Sequence, residues 1–222
     1  MSNSKAEEDY LKAIYKLSKL DPNNVSTNSI VEILDVKPPT VSNMLQKLKE
    51  KNFAQYTRYK GVSLTKSGEE IALKVIRKHR LWETFLVEKF DFNWDEVHVI
   101  AEQLEHVDSP ELINRLDKFL DFPQFDPHGD PIPDKNGEIK KRYEKTLDNV
   151  KTSEHVLMVG VKDHSSDFLK YLERMNLNLG VKIEVVEITS YDKSLLIRTN
   201  QNKEITISNQ VAKNILINSI LK

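Results

Sequence analysis

The chain has 222 residues, with 33 Lys and Arg against 34 Asp and Glu, six His and no Cys. A charged fraction of 30% beside 39% hydrophobic residues belongs to an ordinary globular protein, and the length allows one large domain or two to three small ones. The lack of Cys excludes disulfide scaffolds, iron–sulfur clusters, thiolate zinc sites and thiol catalysis. No apolar run approaches the roughly 18 residues of a membrane span, and the opening Met-Ser-Asn-Ser-Lys-Ala-Glu-Glu lacks the apolar core of a secretion signal. The expectation is a cytoplasmic protein without membrane contact, whose metal chemistry, if any, uses His, Asp, Glu and Met.

Ser4-x-x-Glu7 reads as a capping box, and Tyr10, Leu11, Ile14, Tyr15 and Leu17 follow at helical spacing. A short helix fits Asn28 to Leu34, and a turn at Asp35-Val36-Lys37 leads into Pro38-Pro39, residues suited to a helix's first turn. This third helix carries Val41, Met44, Leu45 and Leu48 on one face and ends near Lys51-Asn52. Phe53 to Leu64 reads as a hairpin, with Gly61 supplying the turn. Three helices followed by a basic hairpin predict a winged helix-turn-helix.

Ser67-x-x-Glu70 predicts the cap of a long helix running to about Phe90, and Asn93-x-x-Glu96 that of another running to about Val107. Ser109-Pro110 starts a third, to about Leu120. Leu81, Trp82, Phe85, Leu86, Phe90, Leu104, Leu116, Phe119 and Leu120 exceed what two or three helices bury among themselves, which favours a dimer interface over a monomeric core. Pro123 to Tyr143, with Pro127, Pro131, Pro133, Gly129 and Gly137, is a loop and linker. From about His155 the pattern turns to short strands at Val156–Val159, Lys182–Ile188, Leu195–Ile197 and Glu204–Ile207, interrupted by one helix from about Ser166 to Met175. These predict a small β-barrel domain and an α+β chain.

Charge is uneven along the chain. Val36 to Arg80 holds eleven basic and three acidic residues, whereas Leu81 to Asp126 holds three basic and twelve acidic ones. That suits a polyanion-binding module joined to a cation-binding one, and equally two solvated faces.

His79 and Glu83 stand one helical turn apart among Val75, Ile76 and Leu86. A carboxylate on that side needs a cation, a donor or a metal. By themselves the two read as a His–Glu pair, or as Glu83 paired with Arg80. His98, Glu102, Glu105 and His106 form a polar stripe on the next helix, so that Glu102, Glu105 and His106 can converge on one ion; the bland alternative is a solvated acidic helix. Asp9 could close the cage from the first helix. Imidazole and carboxylate donors without sulfur suit Mn²⁺ or Fe²⁺ better than Cu⁺ or structural zinc. The chain has no Gly-rich phosphate loop, no His-Glu-x-x-His and no Gly-x-Ser-x-Gly, so it reads as a non-enzyme; a di-metal hydrolase would lack a marked nucleophile.

Tyr10-Leu11 with Ile14-Tyr15, Lys37-Pro-Pro-Thr-Val-Ser-Asn43, Arg77-Lys-His-Arg-Leu81 with Glu83, Val97-His98 and Glu105-His-Val107 together resemble the diphtheria toxin repressor family of metal-dependent repressors. Phe122-Pro, Pro127-His-Gly and Pro131-Ile-Pro resemble its three-domain members. The resemblance implies a winged helix-turn-helix over 1–72, a helical dimerisation and metal-binding domain over 73–145 and an SH3-like, FeoA-like domain over 146–222. It also implies a homodimer that binds double-stranded operator DNA once metal is bound, and a role in metal homeostasis.

Carried over by position, the resemblance implies an ancillary site of His79, Glu83 and His98 and a primary site of Asp9, Glu102, Glu105 and His106. Iron-type members carry Met and Cys where this chain has Asp9 and Glu102, so the implied effector is Mn²⁺, with Fe²⁺ as the alternative. Asp126 falls where some manganese repressors supply a further ligand, and His164 and Asp167 where third domains send ligands to the ancillary site. Two-domain manganese regulators have a Glu at the position of Lys12, so their binuclear site does not transfer. Pro39, Thr40, Ser42 and Asn43 are expected at base edges, and Lys47, Arg58 and Lys60 at phosphates. The rival functional reading is a metal-independent winged-helix regulator with a small-molecule effector.

Overall fold

Helix α1 (Lys5–Leu20) begins where the Ser4 hydroxyl accepts the Glu7 N–H at 3.3 Å and the Glu7 carboxylate accepts the Ser4 N–H at 3.0 Å. This reciprocal box satisfies two N–H groups that no helical carbonyl can reach. Helix α2 (Thr27–Leu34) has the same device at Ser26 and Ser29, and Asp35 at φ 48° ends it. Helix α3 (Pro38–Glu50) uses its two prolines in the first turn. Strands β1 (Ala54–Thr57) and β2 (Gly61–Leu64) pair antiparallel, and Gly61 opens β2 at φ +92°. Leu11, Ile14, Ile30, Leu45, Leu48 and Ala72 are fully buried between these elements and helix α4 (Lys66–Phe90).

Residues 3–21, 25–57, 61–200 and 203–219 are described in this computed structural model. The chain divides into two units: Met1–His79 with Glu102–Ile113 and Pro133–Ile139, and Arg80–Ala101 with Asn114–Ile132 and Lys140–Lys222.

Two helix boundaries depart from the expected caps. At the start of α4 the Thr65 hydroxyl accepts the Gly68 N–H at 3.2 Å, and the Ser67 hydroxyl donates instead to the Asn52 carbonyl at 3.0 Å. Asn93 and Glu96 do interact, through the Asn93 N–H and the Glu96 carboxylate at 3.2 Å, but helix α5 spans only Val97–Leu104. Glu105 and His106 therefore sit in a turn, closed by the Val107 N–H on the Leu104 carbonyl at 3.1 Å. Helix α6 covers Pro110–Phe119.

In the second unit, strands β3 (His155–Val161), β4 (Lys182–Ile188), β5 (Leu195–Thr199), β6 (Glu204–Ile207) and β7 (Ile215–Ser219) form an antiparallel sheet ordered β6-β5-β4-β3-β7. Helix α7 (Ser166–Arg174) lays Leu169 and Leu172 on Met158, Ile183, Val185 and Ile197, and the one-turn helix α8 (Asn209–Ala212) adds Ala212. This mixture of a winged helix-turn-helix, a helical middle and an SH3-like sheet is the α+β architecture expected from the sequence. The β3–β7 register shifts between Met158 and Gly160. There the loop 126–130 lies against β3: a side chain on Gly129, which has φ +84°, would meet the Val159 oxygen at 2.2 Å, and one on Gly160 would meet the His128 oxygen at 2.9 Å. Two glycines make that close approach possible. No helix among the described residues is long and apolar enough to cross a membrane.

Candidate metal centre

The first unit gathers Glu8, Asp9 and Lys12 from α1, His79 from α4, Glu102 from the end of α5, and Glu105 and His106 from the turn after it. His106 places Nδ1 2.7 Å from Glu8 Oε2 and Nε2 3.0 Å from Asp9 Oδ1, with Glu105 Oε1 at 3.7 Å from Nε2. One carboxylate thus orients the ring through one nitrogen while the other nitrogen faces Asp9 and Glu105, the arrangement by which a second shell presents an imidazole ligand. Ligand atoms of Asp9, Glu105 and His106 lie within 4.8 Å of one another, as do those of His79, Glu102 and Glu105.

Glu105 is completely buried. Its Oε2 lies 2.6 Å from His79 Nδ1, and its Oε1 accepts from the Lys12 ammonium at 2.5 Å. Lys12 also donates to Glu102 Oε1 at 2.7 Å. Burial alone would push the Lys12 pKa down, but the two glutamates outweigh it and the value is raised. Burial pushes the Asp9 carboxyl up, with Glu105 and Glu102 adding to it and His106 and Lys12 opposing.

The second unit holds another cluster. Glu83 of α4 lies 3.2 Å from His98 Nδ1, and its other oxygen is 3.8 Å from Nδ1 of the buried His128. Asp126 Oδ1 stands 3.9 Å from the same nitrogen and accepts the N–H groups of His128 and Asp130 at 2.8 and 3.0 Å. His128 Nε2 donates to the Trp94 carbonyl at 2.8 Å. A carbonyl only accepts, so in the neutral ring Nε2 carries the proton and the Nδ1 lone pair faces two carboxylates. Three acceptors converging in a buried volume fit a cation, and nothing in the set is soft. Burial, Glu83 and Asp130 push the Asp126 carboxyl up to about 7, against the pull of Arg80 and His128.

Of the expected ancillary ligands, Glu83 and His98 lie 3.2 Å apart in this cluster, and His79 has Glu105 as a further partner. His164 stacks on His128 with ring centroids 5.0 Å apart, and Asp167 is exposed in the first turn of α7. Neither belongs to a ligating group among the described residues. His128 was not singled out from the sequence; the signal available was an Asp-x-His pair at 126–128 inside a proline- and glycine-rich loop.

Along α3, Val41, Leu45 and Leu48 are buried, while Pro39, Thr40, Ser42, Asn43 and Lys47 are exposed. Lys47 and Lys51 place their ammonium groups 3.0 and 2.7 Å from Glu7 Oε1. Burial opposes ionisation of Glu7, but Lys51, the Ser4 N–H and Lys47 prevail and bring its pKa to about 2. Arg58 and Lys60 lie outside the described residues.

Residues 3–62 match the family described as iron dependent repressor, N-terminal DNA binding domain. Residues 65–134 match iron dependent repressor, metal binding and dimerisation domain, and 145–219 match the FeoA domain. The iron-dependent repressor IdeR of Mycobacterium tuberculosis is 36% identical over 126 residues, 57% of this chain and 54% of that relative. The chain thus spans about half the length of the curated relatives of this kind that it matches. A solved structure described as a manganese-dependent transcriptional repressor in complex with manganese aligns at TM-score 0.80 and 31% identity, covering 96% of this chain and all of that one. The structure of the manganese regulator SloR aligns at TM-score 0.70 and 35% identity over 96% and 98% of the two chains. With matches of this extent over all three segments, the chain belongs to the diphtheria toxin repressor family, the iron-dependent repressors.

Proposed function

We propose that the chain is a metal-dependent transcriptional repressor that binds operator DNA as a homodimer and responds to Mn²⁺, with Fe²⁺ as the other candidate effector. The observation that supports this reading is the gathering of Asp9 and His106 on one side of Glu105 and of Glu102 and His79 on the other, donors that are all oxygen or imidazole nitrogen. Hard donors favour Mn²⁺ and Fe²⁺. Solved neighbours described as manganese-dependent support the first, and IdeR, described as iron-dependent, supports the second. Asp9 and Glu102 in place of sulfur donors tilt the choice to Mn²⁺. Glu83, Asp126 and His128, with His98 beside them, would form a second site.

Within the first unit, α1 couples the cage to the DNA-reading helix. Asp9 faces His106, while Tyr10, Leu11 and Ile14 pack into the core shared with α2 and α3, and Glu7 holds Lys47 and Lys51 of α3. A divalent cation, when bound, supplies the positive charge that lets three carboxylates share this small volume. Fixing Asp9 then fixes the helix on which α3 rests. Asn43 suits a bidentate contact to adenine, and Pro39 a thymine methyl, while Lys47 and the wing residues Arg58 and Lys60 would meet phosphates. By linkage, DNA tightens metal binding by the factor with which metal tightens DNA binding. Phe90 and Phe119, both set beside Phe85, and Phe122, each about 60% exposed or more, offer the apolar face for a second copy. The family is one of repressors and not of enzymes.

The test is selection from a random duplex pool with Mn²⁺, repeated with anaerobic Fe²⁺ and with EDTA. Enrichment of one two-fold-symmetric site that is lost in EDTA is the expected result. Equal binding of that site in EDTA would favour a metal-independent regulator.

A further inference from the structure

We propose that Lys12 is a tethered cation that holds the ligating oxygens of Glu102 and Glu105 whenever no divalent ion does, so that metal binding is an exchange of one cation for another. The proposal rests on the assignment of these two glutamates to a metal site.

The Lys12 ammonium is buried and bonds at 2.5 Å to Glu105 Oε1, the same oxygen that lies 3.7 Å from His106 Nε2. It bonds at 2.7 Å to Glu102 Oε1. With His79 on the other oxygen, both acceptor atoms of the fully buried Glu105 are satisfied by the protein itself. An ion entering among Glu102, Glu105 and His106 competes for those same oxygens, and a second positive charge within ion-pair distance would repel it. Lys12 therefore has to leave them. Its placement on α1, three residues from Asp9, puts the competitor on the helix that supplies a ligand.

Such an exchange has two consequences. The charge of the carboxylate cluster is partly compensated without metal, which favours the folded unit when metal is scarce. The affinity for the ion is set by a difference between two cations rather than by the bare pull of three carboxylates, which raises the metal concentration at which the repressor responds. Removing the competitor then tightens metal binding, although truncating one partner of a buried pair weakens the protein without metal.

The experiment measures Mn²⁺ binding to the full chain by electron paramagnetic resonance, in the wild type and in Lys12→Met and Lys12→Gln, together with thermal stability in EDTA and in Mn²⁺. We expect the variants to be less stable than wild type in EDTA and to bind Mn²⁺ at the Glu105 site roughly ten- to a hundredfold more tightly. Unchanged or weaker binding in both variants would overturn the proposal. A second measurement uses the wild type alone: reductive methylation of lysines, read by peptide mass, should label Lys12 more when Mn²⁺ is added, and equal or lower labelling contradicts the exchange. If the wild type binds no Mn²⁺ at this site, the functional reading falls instead, and the two failures are told apart.

Discussion

The two carboxylate–imidazole clusters solve one problem in different ways. In the first unit an ammonium group sits directly on the glutamate oxygens, at 2.5 and 2.7 Å. In the second, no lysine among the described residues enters: Arg80 stands 3.5 Å from Asp126, and the Asp126 carboxyl is pushed up to about 7. One cluster is met by a flexible ammonium group at its centre, the other by the Arg80 guanidinium at its edge. A lysine can swing away as a unit, whereas Asp126 is fixed by the His128 and Asp130 N–H groups it accepts, so the first cluster is suited to moving an element and the second to steadying a loop.

The largest expected effect breaks this contrast if it fails. Glu105→Ala should abolish Mn²⁺-dependent binding to the selected operator while sedimentation still shows a dimer; retained metal dependence would move the switch to the second cluster. His128→Ala should leave a smaller defect, with weaker Mn²⁺ binding confined to the second site. Trp94 provides its readout, because its ring lies parallel to His128 at 6.1 Å. In a Trp82→Phe background, Mn²⁺ should quench the remaining indole fluorescence, and His128→Ala should remove that quenching.

A smaller effect concerns the link between the first cluster and α3. Glu7 has its pKa lowered from 4.5 to about 2 in the folded chain, so its contribution is fully present above pH 4.5 and is lost as pH falls towards 2. Glu7→Gln should flatten the acid limb of stability measured by urea unfolding between pH 5 and pH 2. An unaltered limb would mean that Lys47 and Lys51 do not hold this carboxylate in solution.

Much of the architecture was legible because local chemistry and long-range packing agree in the first unit. Ser4 and Glu7 cap α1 as their spacing demands, and Val41, Leu45 and Leu48 are buried at helical intervals. Where they disagreed, pattern alone misled. Ser67 has capping spacing, yet its hydroxyl is taken by a carbonyl 15 residues away. The polar stripe from His98 to His106 was treated as one helix, whereas α5 ends at Leu104 and a turn brings Glu105 and His106 to α1. Strand β7 was missed because Ile215, Leu216 and Ile217 are all buried, which erases the alternation that marks a half-exposed strand. His128 was hidden for a related reason, since a loop residue has no period and its partners Glu83 and Trp94 are distant in sequence. Lys12 was legible only as a departure from a family position; that its charge lands between Glu102 and Glu105 is a fact of tertiary structure.

The paired glycines at the β3 bulge carry the last consequence. Because Gly129 and Gly160 let two backbones touch, the His128 carbonyl accepts the Val161 N–H at 2.9 Å and the imidazole is carried into register with Glu83. Even one methyl group there would have to pry the loop off the sheet. Variation at a strand that contributes no donor atom can therefore retune the second site, and a natural change in metal response could arise at position 160 with every coordinating side chain intact.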